Sequence, residues 1–308
     1  MALLFPTQKD STAPPVDSLA ASALKSTINR LGTLPTLPEA ATKALAVAND
    51  RNSRLADFSA IIERDPTLAT GILKLANSAL FRVGCELANL NQAVVRLGLR
   101  QCKNLIVSVG VRSLFNKVPG ALQQCNILWE HSLTVGCLSR SLNKTLETGY
   151  QGEEFSCGLA HDIGRILFAI AAPDFFGNTT ILDFDEDRDI LNRELSTLGV
   201  DHCSLGAWYA QRNQLPTSLV SAIQFHHVPS KATTHQNLVG VVAMAEHMAN
   251  YFQRTETTMD YPLGENPGWQ FLAANCDDGT KEKIGRLVPV LLEEAVKESR
   301  QSDAFQAA

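Results

Sequence analysis

Apolar residues recur at helical spacing along almost the whole chain, and no run alternates as a half-buried strand must. Pro38 stands where a first helical residue belongs, and 39–48 carry an apolar stripe. Asp65-Pro66 repeats that start signal, Asp as N-cap and Pro behind it, opening a helix whose face is Leu68, Ile72, Leu75 and Ala76 and which ends near Asn77-Ser78. A short helix over 91–97 stops around Gly98, and a further one runs over 102–115. After a loop at Pro119-Gly120, helices are expected over 128–146 and 154–171, the second ending before Pro173. Residues 174–189 are acidic and read as an irregular surface connection. Helices follow over 190–198, 202–212 with Asp201 as N-cap, 217–227 after Pro216, and 236–252. Residues 254–280 hold Pro and Gly and read as irregular, before an amphipathic helix over 281–299 with a polar tail behind it.

The pattern predicts an all-α fold, a two-lobed helical bundle with its boundary near 116–126. Residues 1–20 read as a mobile leader, 21–120 as an N-terminal helical lobe, 121–255 as a second helical lobe and 256–308 as a C-terminal extension ending in a helix. No internal repeat or sustained heptad series appears. The terminal amphipathic helix can pack on its own chain or on a neighbour, so the oligomeric state stays open.

Composition narrows the function classes. At 308 residues the chain can bury a sizeable core. A net charge of −5 gives no chain-wide basic character, so a nucleic-acid partner is not expected. The cluster Arg96, Arg100 and Lys103 reads as a solvated helix face. The longest apolar run, 163–172, is too short to span a bilayer, so no membrane partner is expected. Seven cysteines are scattered without a C-x-x-C pair, which suits reduced, partly buried thiols of a cytoplasmic protein rather than a thiolate zinc site.

The chemistry concentrates in the histidines. His161-Asp162 lies in Gly158-Leu-Ala-His-Asp-Ile-Gly-Arg165, with His131 upstream and His202 and His226-His227 downstream. On a helix, i, i+1 and i+4 share one broad face, here His161, Asp162 and Arg165, while Gly158 and Gly164 leave room for close approach. Helical bundles build metal sites in this way. Imidazole with carboxylate suits one or two divalent transition metals, Fe, Mn or Zn, better than Ca or Mg. Two such ions could clamp a phosphate ester and activate water against it. Each residue also has an ordinary reading: His131 and His202 as hydrogen-bonded histidines, His226-His227 as a favoured helix C-terminus, Asp162 as the salt-bridge partner of Arg165. His235 and His247 fit no role and read as ordinary surface or helix residues.

Two resemblances join these features. Leu34-Pro-Thr-Leu-Pro38, Ile61-Ile-Glu-Arg-Asp-Pro66, Leu73-Lys-Leu-Ala-Asn-Ser78 and Arg96-Leu-Gly-Leu99, followed by the His161-Asp162 block, resemble the HDOD domain of bacterial signalling proteins, in order and to about residue 250. The resemblance implies an N-terminal helical lobe packed on an HD-superfamily-like lobe. It also implies a regulatory role in signal transduction, exercised through a signalling protein partner or a small nucleotide-like ligand. The chain is similar as well to catalytic HD and HD-GYP phosphohydrolases, and this resemblance implies metal ligands at His131, His161, Asp162, His202, His226 and His227. Their late Asp is Glu246 here, in Val242-Ala-Met-Ala-Glu-His247, one methylene longer. The lysine after the HD pair is Arg165, which can bind a phosphate but makes a poor general acid, and Val228-Pro229-Ser230 contains no GYP. Regulation is therefore the leading expectation, and a metal-dependent phosphohydrolase acting on a nucleotide, with Asp162 and Arg165 as its catalytic residues, is the alternative. A third is a metal-free scaffold whose histidines hydrogen-bond among themselves.

Overall fold

A computed structural model describes residues 34–49, 54–78, 84–87, 89–118, 122–173 and 190–300. The leader, the Pro119-Gly120 loop, the acidic connection over 174–189 and the polar tail lie outside the described residues. Among the described residues the chain is helical with no strand. No helix among the described residues is long and apolar enough to cross a membrane.

Among the described residues, four helices make the N-terminal lobe: α1 (Glu39–Asn49), α2 (Leu55–Ile62), α3 (Pro66–Asn77) and α4 (Leu90–Phe115). The Asp65 carboxylate accepts from the Leu68 amide at 3.0 Å and Pro66 opens α3, so the cap and its proline act as expected. Gly98 kinks α4 with φ 75° and ψ 165°, a conformation that an L side chain resists. Helix α2 is not marked by any cap that the sequence reading used. Phe58, Ile62, Ile72, Leu75 and Leu105 are all buried at the centre of this lobe.

The second lobe comprises α5 (Leu122–Leu146), α6 (Glu153–Ala160), α7 (Ile163–Ala171), α8 (Ile190–Leu198), α9 (His202–Arg212), α10 (Thr217–Phe225) and α11 (Gln236–Thr255). Helix α6 lies against α5, α4, α10 and α11, and α7 packs on α9 and α4, so α4 joins the two lobes. A Cβ at Gly158 would stand 2.7 Å from Val135 O, and one at Gly164 would stand 1.9 Å from His202 O. These glycines therefore admit neighbouring helices rather than a ligand.

Two expectations change. The helix foreseen over 154–171 is broken at its centre: α6 ends at Ala160, Asp162 leaves helical geometry (φ −96°, ψ 20°), and α7 starts at Ile163. Adjacent side chains on an unbroken helix diverge by about 100°, and the break lets His161 and Asp162 point into one space. The stretch over 254–280 is not wholly irregular. It holds α12 (Pro267–Ala273), capped by Asn266, whose side chain accepts from the Trp269 amide at 2.8 Å. The final helix, α13 (Asp278–Arg300), packs on α5 of its own chain, where Thr134 Oγ1 donates to Ser299 Oγ at 2.9 Å.

Candidate metal centre

The break at His161-Asp162, the first turn of α9, the C-terminal end of α10 and the middle of α11 meet at one point in the second lobe, and α5 closes it from the side. His131, His161, Asp162, Arg165, His202, His226 and Glu246 are all buried there, while His227 is partly exposed at 17%.

Four of the imidazoles share one orientation. His131 Nδ1 donates to Gln253 Oε1 at 2.7 Å, His161 Nδ1 to Gly158 O at 2.7 Å, His202 Nδ1 to Glu194 Oε2 at 2.7 Å and His226 Nδ1 to Ile223 O at 2.9 Å. An amide, carbonyl or carboxylate oxygen can only accept from a ring nitrogen, so each Nδ1 carries its proton and each neutral ring offers Nε2 as a lone pair. Those four Nε2 atoms lie within 4.0 Å of the Asp162 carboxylate, at 4.0 Å for His131, 3.4 Å for His161, 3.4 Å for His202 and 3.8 Å for His226. Glu246 Oε1 closes the other side, 3.6 Å from His227 Nε2 and 3.9 Å from His226 Nε2. His202 Nε2 faces His227 Nε2 at 3.1 Å and His226 Nε2 at 3.3 Å.

The electrostatics follow from burial. Burial by itself raises the Asp162 carboxyl, yet Arg165 and then His161, His202 and His226 hold it well below the ordinary carboxylate range. Burial, with His227, His161 and His202 beside it, drives the His226 imidazole well below its ordinary value, which keeps it neutral. At His202 burial, the largest effect, and Arg165 oppose the charged ring, but the charge and hydrogen bond of Glu194 together with the Asp162 carboxylate outweigh them and the ring is raised.

These residues suit a divalent transition metal. A ligating histidine characteristically donates its second N–H to a carboxylate or carbonyl, and four of these rings do so. Both Asp162 oxygens are buried and accept no hydrogen bond. An unsatisfied buried carboxylate costs several kcal/mol, which ligation to a cation offsets. Arg165 Nε stands 3.4 Å from Asp162 Oδ1, as the salt-bridge reading foresaw, so one positive charge is already present. A proton shared between His202 and His227 would settle that pair without giving Asp162 a donor.

A cavity of about 520 Å³ opens against the exposed edge of the cluster. His226, His227 and Glu246 form its inner wall, with Val228, Ser230, Asn250, Gln270 and Phe271 around them. Neither Tyr209 nor Phe225 stands in it, and Arg165 lies behind the cluster with no exposed surface. His247 lies within α11, as a helix residue should, while His235 departs from a surface setting. His235 is buried, with Thr217 Oγ1 3.2 Å from its Nε2, and His247 is half-buried against the Tyr261 hydroxyl at 2.7 Å. The sequence reading did not single out Glu194, Gln253 or Cys203. Cys203 Sγ lies 3.4 Å from His202 Nε2, and its place next to His202 in sequence was the available signal.

The fold and the cluster define an all-α protein with a candidate HD-type metal centre. The HDOD domain family model matches residues 34–229, and the chain belongs to that family. It is 31% identical over 223 residues to an uncharacterized protein of Treponema pallidum (strain Nichols), covering 70% of this chain and 42% of that one. It therefore spans less than half of that relative's length. Among solved structures, an HDOD domain protein of unknown function from Geobacter sulfurreducens has a TM-score of 0.74 at 20% identity, covering 94% of this chain and 99% of that one. A protein from Shewanella amazonensis SB2B, described as a proposed phosphohydrolase, has a TM-score of 0.67 at 29% identity, covering 90% of this chain and 98% of that one.

Proposed function

We propose that this protein is an HDOD regulatory module whose second lobe holds one or two divalent ions of the Fe, Mn or Zn kind, and whose signal is a small phosphate-bearing, nucleotide-like ligand bound in the adjoining cavity. The observation that carries this reading is the convergence of four Nε2 atoms on Asp162 while each Nδ1 is tied to an oxygen. An ion bound there supplies Lewis-acid polarisation of a phosphoryl oxygen.

The residues divide the remaining work. Glu194 fixes the tautomer and orientation of His202 through both its ring N–H and its backbone N–H, at 2.7 and 2.8 Å. Arg165 balances Asp162 from behind and keeps its carboxylate ionised. The cavity has the size of a small-ligand site. Among the described residues no lysine or arginine lines it, and the histidine edge is what they offer to the phosphate's charge. Asn250 Oδ1 is buried in that wall and accepts no hydrogen bond, which suits a hydroxyl or amino donor on the ligand.

The test is calorimetric titration of manganese-loaded protein with a panel of nucleoside monophosphates, diphosphates and cyclic nucleotides. Binding that needs the metal and weakens at least tenfold in Asn250→Leu is expected. A loaded protein that binds none of the panel would overturn the reading. Hydrolysis is the second reading, favoured by the likeness to the Shewanella amazonensis protein at 29% identity. Turnover of bis(p-nitrophenyl) phosphate that disappears in Asp162→Asn would make the module an enzyme.

A further inference from the structure

Cys203 follows His202 in the first turn of α9 and is buried. Its Sγ lies 3.4 Å from His202 Nε2 and 3.8 Å from His226 Nε2. Those two nitrogens are 3.3 Å apart, and His202 Nε2 is 3.1 Å from His227 Nε2. A tetrahedral ion with metal–nitrogen bonds of about 2.0 Å and a metal–sulfur bond of about 2.3 Å requires nitrogen–nitrogen edges of about 3.3 Å and sulfur–nitrogen edges of about 3.5 Å. The four separations are four of the six edges of such a tetrahedron, the Sγ–His226 edge being about 0.3 Å too long. All four ligand atoms lie within 4.8 Å of one another.

A second set, His161, Asp162, His226 and Glu246, meets the same spatial test but carries oxygen instead of sulfur. His226 belongs to both sets. Its Nε2 has one lone pair, so it can serve only one ion. Its Nε2 is 3.3 Å from His202 Nε2 but 3.8 and 3.9 Å from Asp162 Oδ1 and Glu246 Oε1. The shorter edge places it with the sulfur set.

We infer that Cys203 is a metal ligand and that the centre has two unlike poles. His202, Cys203, His226 and His227 form a sulfur-bearing pole that selects a thiophilic divalent ion such as zinc. His161, Asp162 and Glu246 form an oxygen-bearing pole suited to manganese or iron. Ligation by Cys203 releases its thiol proton to solvent and forms one metal–sulfur bond, with no change of oxidation state. The inference rests on the proposed metal reading of the centre and adds to it which ion sits where.

The test uses the 308-residue chain, stripped by chelator and titrated with cobalt(II) while its absorption spectrum is followed. Wild-type protein should develop an intense near-ultraviolet thiolate-to-cobalt charge-transfer band. The band should vanish in Cys203→Ser and Cys203→Ala and persist in Cys157→Ser, a buried thiol outside the set. Zinc affinity should fall 10- to 100-fold in the Cys203 variants with manganese affinity unchanged. A wild-type protein that binds cobalt through nitrogen and oxygen alone, without that band, would overturn the Cys203 assignment and leave the metal reading standing. A wild-type protein that binds no cobalt, zinc or manganese would overturn both. Circular dichroism of each variant separates ligand loss from unfolding, and the two substitutions differ enough in polarity that one misfolded variant does not decide the result.

Discussion

The two lobes are built from the same element and filled differently. Around Phe58, Ile62, Ile72 and Leu105 the N-terminal lobe buries almost only hydrocarbon, and among the described residues its buried polar side chains are the small Ser59, Asn104 and Ser108. The second lobe gives much of its centre to His131, His161, Asp162, Arg165, Glu194, His202, His226 and Glu246. A helical bundle needs no such set to fold. Well-packed apolar side chains of similar volume often serve stability as well or better than buried charges. The apolar core of the first lobe needs only folding to account for it, whereas the polar core of the second is what the proposed metal centre would require.

The sharpest way to break that comparison is Asp162→Ala. It removes the carboxylate at the centre of the four Nε2 atoms and breaks the buried pair that this carboxylate makes with the Arg165 guanidinium. Breaking a buried pair by removing one partner costs about 3–5 kcal/mol. Elemental analysis should show the metal gone, and urea unfolding should show that loss of stability. A variant that keeps both its metal and its stability would make the polar core as inert as the apolar one. Phe58→Ala is the matching change in the first lobe. Truncating a fully buried phenylalanine costs about 3–5 kcal/mol, yet metal per folded molecule should not change. Altered metal content in folded Phe58→Ala would show that the lobes do not divide their tasks.

The comparison also explains what the sequence could disclose. Helix starts at Asp65-Pro66 and Asp201 were legible because a cap acts within one turn, and both carboxylates accept the expected backbone N–H. The same signal at Asn266-Pro267 went unread because the prolines and glycines around it suggested an irregular stretch. The histidine series was legible as a series, and the structure brings all its members together. The break between α6 and α7 was not, since Leu159, Ile163 and Ile166 keep helical spacing across it. Glu194 and Gln253 were illegible because each acts on a histidine held by another helix, 8 and 122 residues away in sequence. Burial of His235 and His247 depends on packing, which residue type does not disclose.

Glu194 offers a smaller perturbation of the second lobe alone. Glu194→Gln keeps the volume but weakens the charge-assisted bond to His202 Nδ1. Loss of such a supporting partner lowers metal affinity by about 10- to 100-fold. A competition titration against a chelator dye should find that loss, with the unfolding of metal-free protein changed far less. Unchanged affinity would mean that the orientation of His202 does not matter to what the centre binds.

The smallest effect concerns acid. All seven histidines lie at or beyond position 131, so between about pH 7 and pH 5.5 only the second lobe carries side chains whose ordinary titration falls in that window. His247 lines the cavity, and burial, with Arg254 adding to it and Glu265 opposing, holds its pKa below 6.5. Below 6.5 the unfolded chain takes up a proton that the folded ring refuses. Stability is therefore full above that value and declines as pH falls toward the folded-state pKa. His226 is displaced in the same direction, whereas the raised His202 contributes stability below 6.5 that is lost above its folded-state value. His247→Gln should flatten the acid limb of stability measured by urea unfolding at successive pH values. Amide exchange in α1 to α3 should not respond to the same acidification. If the acid limb keeps its slope in His247→Gln, the sensitivity belongs to the rings around Asp162. The His247 side of the cavity would then respond to pH no more than the first lobe does.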